Sequence, residues 1–180
     1  MRMTIEGVGF DHQEQTVVVL KDWEGHKLLP IWIGQSEARS IALELEGAQS
    51  PRPLSHDLVL SCIKLVNGRV TRVVINDLQN STFYATIDID TPNGLRHIDS
   101  RPSDAIAIAV RAKCPVFVDG GALNALIEVS EATAANEATE ETDEMLAALA
   151  SEIAPAPAAP EPPEDDEITR FKRLLGDLEV

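Results

Sequence analysis

Residues 101–118, RPSDAIAIAVRAKCPVFV, decide how the rest of the chain is read. Pro102 suits the first turn of a helix, where its missing N–H would have no partner anyway. Asp104 complements the positive end of the helix dipole, and Ser100 and Ser103 are candidates to cap free amides there. The AIAIAV that follows is apolar on nearly every side, which predicts a deeply buried helix. PVFV then predicts a strand fed directly by that helix. A buried helix running into an apolar strand needs a sheet to lie on, and the flanking sequence has to supply it.

It does so upstream. TIEGVGF (4–10) and TVVVLKD (16–22) are β-rich, DWEGHK (22–27) turns the chain, and KLLPIWIG (27–34) is a third apolar strand. In GQSEARSIALELEG (34–47) the period changes: Ala38, Ile41, Ala42 and Leu45 fall at helical spacing, and Gly47 ends the helix. Ser55 is the expected N-cap of a second helix in LSHDLVLSCIKLV (54–66), which stops at Asn67-Gly68. TRVVINDL (71–78) and TFYATIDID (82–90) read as a hairpin, with Phe83, Ala85, Ile87 and Ile89 alternating against polar neighbours. LRHIDS (95–100) extends it, and ALNALI (122–127) is a short closing helix. The pattern predicts an α+β fold: one compact domain over residues 1–127 with a mixed sheet and about three helices.

Charge divides the chain at the same boundary. Residues 1–127 hold 12 Lys+Arg against 15 Asp+Glu, a net of −3, whereas residues 128–180 hold 3 against 15, a net of −12. The overall −15 therefore belongs mainly to the arm and does not exclude a local basic patch on the body. Residues 128–166 form an acidic Ala/Pro/Glu-rich linker, expected to be flexible because alternating Ala-Pro and clustered acids cannot bury enough apolar surface. Residues 167–180 are expected to be a short amphipathic helix, with Ile168, Phe171, Leu174, Leu175 and Leu178 on one face. Such a segment orders only when docked, on its own body or in a protein partner's groove. No apolar run is long enough for a signal peptide or a membrane span, so the expected location is cytoplasmic, away from membranes. Cys62 and Cys114 lie in apolar runs and are expected to be reduced core residues.

The polar residues gather at helix starts. RPLSHD (52–57) echoes RPSD (101–104): each places Arg-Pro, then Ser, then Asp before an apolar helix. Capping explains the Ser and Asp residues, but not Arg52, His56 and Arg101, because a helix start attracts anions rather than cations. Free amides beside Arg make a natural phosphate site, while an internal Arg–Asp ion pair, for instance of Arg101 with Asp99 or Asp57, is the non-functional alternative. His12 and His26 sit among charged turn residues and His97 belongs on the outer face of its strand; His56 is the one suited to proton transfer. Hard carboxylate oxygens of Glu37, Asp57, Asp99 and Asp104 would suit Mg²⁺ or Mn²⁺, although no loop has EF-hand, HExxH or DxD spacing and the cofactor stays unknown. There is no Gly-rich phosphate loop, GxSxG or CxxC motif.

IGQSEARSIALELEG, SPRPLSHDL, STFYATIDI and IDSRPSDAIAIAVRAKCPVFV, in this order, resemble the bifunctional nuclease family over roughly residues 5–127. The resemblance implies a compact α+β domain that degrades both DNA and RNA and assembles as a homo-oligomer, often a dimer. The family's polar hallmarks match Glu37, Arg52, Pro53, His56, Asp57, Asp99, Arg101, Pro102, Ser103 and Asp104 here, while Ser100 stands where the family commonly has Ala. For phosphodiester hydrolysis, the expected phosphate clamp is Arg52, Arg101 and Ser103 with the helix amides. His56 would be the general base or acid, and Asp57, Asp99 and Asp104 would orient these groups. Glu37, Asp57 and Asp104 are the candidate metal ligands. That scheme requires the three helix starts to lie within about 10 Å of one another. The acidic arm departs from other members' appendages and permits a rival reading, a non-catalytic oligomeric regulatory module that docks a partner through the arm.

Overall fold

The computed structural model describes residues 1–11, 13–48 and 50–128; His12, Gln49 and the arm beyond Glu128, with its expected linker and terminal helix, lie outside the described residues. The chain opens with an antiparallel meander, β1 (Arg2–Phe10), β2 (Thr16–Asp22) and β3 (Lys27–Trp32). Two helices follow, α1 (Gln35–Leu45) and α2 (Ser55–Leu65), then a second meander of β4 (Arg69–Gln79), β5 (Thr82–Thr91) and β6 (Gly94–Ser100). Helix α3 (Pro102–Ala112) leads into β7 (Val116–Val118), a 3₁₀ turn over Gly120–Ala125 and β8 (Ile127–Glu128). The expected closing helix is thus this single short turn.

All eight strands join one mixed sheet in the order β6-β5-β4-β7-β1-β2-β3-β8. Strand β7 is the joint: it runs parallel to β4 and antiparallel to β1, so it fuses the two meanders. Reaching that slot from the edge strand β6 requires a crossover above the sheet, and α3 is the crossover. Its buried residues are Pro102, Ser103, Ala105, Ile106, Ala107, Ile108 and Ala109. Burying each large apolar side chain of this kind contributes about 1.5–3 kcal/mol. The small alanines let α1 and α2 approach α3 closely, with α1 over β1 and β2 and α3 over β4 and β5. Beneath them, Val73, Ile75, Ala85, Ile87 and Ile89 form the sheet side of the core.

Local signals set the helix ends. Gly47, at φ +67°, closes α1 in the left-handed conformation that favours glycine. Lys113 does the same for α3 at φ +52°, a position the sequence pattern did not mark. At α2 the expected cap is off by one: Leu54 is the N-cap residue, Ser55 is the first helical residue, and Asp57 reaches back to accept from the Leu54 N–H at 2.8 Å. The serines at the starts of α2 and α3 make no side-chain cap bond; Ser100 instead donates its hydroxyl to the Arg101 carbonyl. Cys114 is half-buried, and burial pushes its thiol pKa up. Cys62 is exposed, contrary to the core position expected of it, because α2 turns Leu60 and Ile63 to the core and Leu58, Val59, Cys62 and Leu65 outward. Among the described residues no helix is long and apolar enough to cross a membrane.

Candidate functional site

Each of the three helices carries an acid at the third position of its first turn: Glu37 in α1, Asp57 in α2 and Asp104 in α3. Their shared preference for the positive end of the dipole explains the repeat. The fold then brings the helix starts together. Arg101, the N-cap residue of α3, binds Asp104 Oδ2 through Nε at 2.7 Å and Glu37 Oε1 through Nη2 at 3.0 Å. His56, from the first turn of α2, places Nε2 3.1 Å from Asp104 Oδ1. The requirement that the three starts lie close together is therefore met, with side chains in direct contact.

The connections continue inward. His56 Nδ1 lies 3.1 Å from Ser40 Oγ, which in turn accepts from Arg111 Nη2 at 3.0 Å. Arg111 also donates to the Ser40 and Ala107 carbonyls, and its Nε reaches Asp57 Oδ1 at 2.9 Å. Glu37, Arg101, Asp104, His56, Ser40, Arg111 and Asp57 thus form one unbroken polar network across α1, α2 and α3. The Asp104 carboxylate accepts only, which assigns the ring hydrogen to His56 Nε2; in the neutral ring Nδ1 then accepts from the Ser40 hydroxyl. Burial pulls the Asp104 pKa upward, but hydrogen bonds from Arg101 and His56 outweigh it and hold the carboxyl below its ordinary range. The Glu37 carboxyl is also held low, first by the hydrogen bond from Ser36 and further by Arg101. The Arg101 guanidinium is raised in return, chiefly by its bond to Asp104.

Accessibility separates the members. The Arg111 side chain is 4% exposed and saturated, so it braces the helices rather than meeting a substrate. The Arg101 side chain is 66% exposed and sits at the mouth of the junction. At the far, Asp57–Arg111 end of the network, a cleft of about 320 Å³ is lined by Leu43, Glu44, Arg52, Leu54, Asp57 and Arg111, among others. Arg52 projects there with no ion pair among the described residues.

Not every expected member arrives. Asp99 alternates with Ile98, which pairs with the core residue Ile87, so Asp99 lies on the sheet face turned away from the helices. The Arg–Asp ion pair envisaged as the non-functional alternative does form, but Arg101 takes Asp104, with Glu37, rather than Asp99 or Asp57. Ser103 is buried within the first turn of α3 and joins no part of the network. The candidate metal ligands do not fit an ion together, since Asp57 faces Arg111 while Glu37 and Asp104 share Arg101. Among the described residues no group of three or more His, Cys, Asp or Glu is placed to hold one. Ser40 and Arg111 were missed from the sequence. Arg111 carried a signal, being seven residues after Asp104 and so on the same face of an otherwise apolar helix. Ser40 lies three residues after Glu37 beside the apolar stripe of α1, a weaker sign.

Known proteins share this domain. An uncharacterized protein of Mycobacterium tuberculosis, Rv1829 in strain H37Rv, is 44% identical over 111 residues, 62% of this chain and 66% of that protein. Bifunctional nuclease 1 of Oryza sativa subsp. indica is 27% identical over 113 residues, 61% of this chain but 34% of the rice protein. The chain therefore matches less than two thirds of the length of either. The model of the bifunctional nuclease domain matches residues 18–135, which span all three helix starts, and the chain belongs to that family.

Proposed function

We propose that this domain hydrolyses phosphodiester bonds in RNA and DNA at the junction of the three helix starts. The observation that carries the reading is the meeting of Arg101, Asp104, His56 and Glu37 at converging helix N-termini. Helix N-termini favour anions, and exposed guanidiniums recognise phosphate oxygens in a bidentate manner. A phosphate at the mouth competes with Asp104 and Glu37 for Arg101. Drawing Arg101 away unshields the Asp104–His56 pair. Water then attacks phosphorus while the pair accepts its proton, the bond from phosphorus to the leaving oxygen breaks, and that oxygen takes a proton. Aimed cations and a positioned acid–base group are the two needs of such a transition state. That members of the family are named nucleases, as the rice relative is, supports the reading by likeness.

One observation favours a second reading: the charged groups of the junction already satisfy one another. On that basis the domain is a non-catalytic interaction module, and the network simply locks three helices together. Cleavage of end-labelled single-stranded RNA and DNA by the full chain separates the two. The nuclease reading expects cutting by wild type, a loss of about 10²–10⁴-fold in His56→Ala, and weaker substrate binding as salt rises. Folded wild type that cuts neither substrate, or a His56→Ala variant that cuts at the same rate, overturns it.

A further inference from the structure

Helix α2 presents an unusual outer surface. Leu58, Val59, Cys62, Leu65 and Val66 are all exposed, Leu65 at 85%, and they recur at i, i+1, i+4, i+7 and i+8. That spacing makes a single apolar stripe about 12 Å long on the helix face opposite Leu60. A contiguous stripe of this kind marks an interaction surface, whereas scattered exposed apolar residues do not.

The same chain carries a matching segment. In ITRFKRLLGDLEV (168–180), Ile168, Phe171, Leu174, Leu175 and Leu178 share one helical face over about 15 Å. At helical spacing, two stripes of this length can interlock as one helix pair. The segment carries Arg170, Lys172 and Arg173 against Asp177 and Glu179, the one net positive stretch of an otherwise acidic arm, and faces a body of net −3. The tether also fits. Residues 129–167 leave from β8, and five steps along the sheet order separate β8 from β4, over which α2 packs. At about 4.8 Å per strand that is roughly 24 Å. A 39-residue tether of coil dimensions reaches about 35 Å, enough to cross the distance without being stretched.

We propose that the chain's own terminal segment, residues 168–178, docks as a helix on the exposed stripe of α2. The contact is intramolecular, so a weak intrinsic affinity suffices: with an effective concentration on the order of 1 mM, a peptide Kd of about 100 µM keeps the face covered roughly nine-tenths of the time. The proposal is independent of whether the junction cleaves nucleic acid.

Cys62, at the centre of the stripe, reports the covering directly. The full chain is reacted with a maleimide under native conditions and Cys62 labelling is followed by mass spectrometry, with Cys114 as internal reference. The comparison variant is Leu174→Asp/Leu175→Asp, which leaves every described residue intact. The expected result is slow labelling of wild type that is independent of protein concentration, and about tenfold faster labelling of the variant. Fast labelling of wild type overturns the proposal, because the stripe is then bare. Protection that grows with protein concentration, or that survives the variant, also overturns it and assigns the stripe to a second copy or another partner.

Discussion

Two regions of the molecule are built from the same three residue types. At the helix junction Asp104 lies between Arg101 and His56; on the opposite face of the sheet Asp88 lies between Arg72 and His97. In the second, both contacts are 2.6 Å, shorter than any at the junction. The difference is where the carboxylate sits. Asp88 has a side chain 3% exposed, wedged between β4 and β6, while its partners Arg72 and His97 stand in solvent. Asp104 is itself reachable, and its arginine is the exposed, exchangeable member. A buried anion with exposed hydrogen-bond partners on both neighbouring strands staples those strands together. A reachable anion under an exposed cation, at the positive ends of three helices, is what the proposed exchange with a phosphate requires. Residue types and short distances therefore do not identify a site; burial order and the backbone field around it do.

The sharpest way to break this comparison is to remove one histidine at a time. His56→Ala should lower cleavage by about two to four orders of magnitude, and His97→Ala should leave it unchanged. Rates are read on the same labelled strands after circular dichroism shows both variants folded. Equal losses in the two variants would erase the distinction between staple and site.

Stability should show the reverse weighting, with the next largest effect at the brace. Arg111→Ala removes the pair with Asp57 and the donors to the Ser40 and Ala107 carbonyls, which should cost about 3 kcal/mol. Arg101→Ala loses only partly exposed pairs and should cost under about 1 kcal/mol. Urea midpoints at fixed m-value measure both. An Arg101 variant as unstable as the Arg111 variant would place Arg101 among the braces and leave the junction without an exchangeable cation.

Much of this was legible in the sequence because it is local. Period-2 alternation in residues 82–90, helical spacing in residues 38–45 and the Pro-x-Asp start of α3 each depend on neighbours a few positions away. The convergence of helix starts could be posed as a requirement but not read directly, since the Arg101–Glu37 contact closes 64 positions of chain. Asp99 and Asp104 looked equivalent by proximity to Arg101; strand pleat turned one away and helix geometry turned the other in. Cys62 looked like core because its neighbours are apolar, yet apolar character does not say whether a helix has a partner on that face. Asp88 stood on the expected wet side of β5, and the positions of Arg72 and His97 on the two adjacent strands close it in.

The staple makes its own prediction on the acid side. Burial raises the Asp88 pKa, but the bonds from Arg72 and His97 prevail and hold it below its ordinary value. A carboxylate depressed in the folded state contributes stability in full above the unfolded pKa of about 3.9, and that share is lost as pH falls through the folded value. Asp88→Asn should therefore cost about 2 kcal/mol near neutral pH and flatten the acid limb of urea midpoint against pH below about pH 4. Asp104→Asn should flatten the same limb less, because its carboxylate is nearer water. Matching limbs in the two variants would show that Asp104 is held as rigidly as the staple.

The smallest effect probes how Arg101 is aimed. A Cβ at position 34 would collide with the Glu37 carboxylate, which folds back against Gly34. The colliding atoms end a flexible side chain, so Gly34→Ala should fold normally at a cost within about 1 kcal/mol, in line with the poor standing of alanine at an N-cap. Glu37 must swing aside, and Arg101 then keeps Asp104 as its remaining partner. If Glu37 positions Arg101 for an incoming phosphate, the variant should raise KM severalfold while kcat holds, the pattern of lost uniform binding. A fall in kcat with KM constant would instead place Glu37 at the reacting atoms, and the junction would need a carboxylate in the chemistry that its present contacts with Ser36 and Arg101 do not suggest.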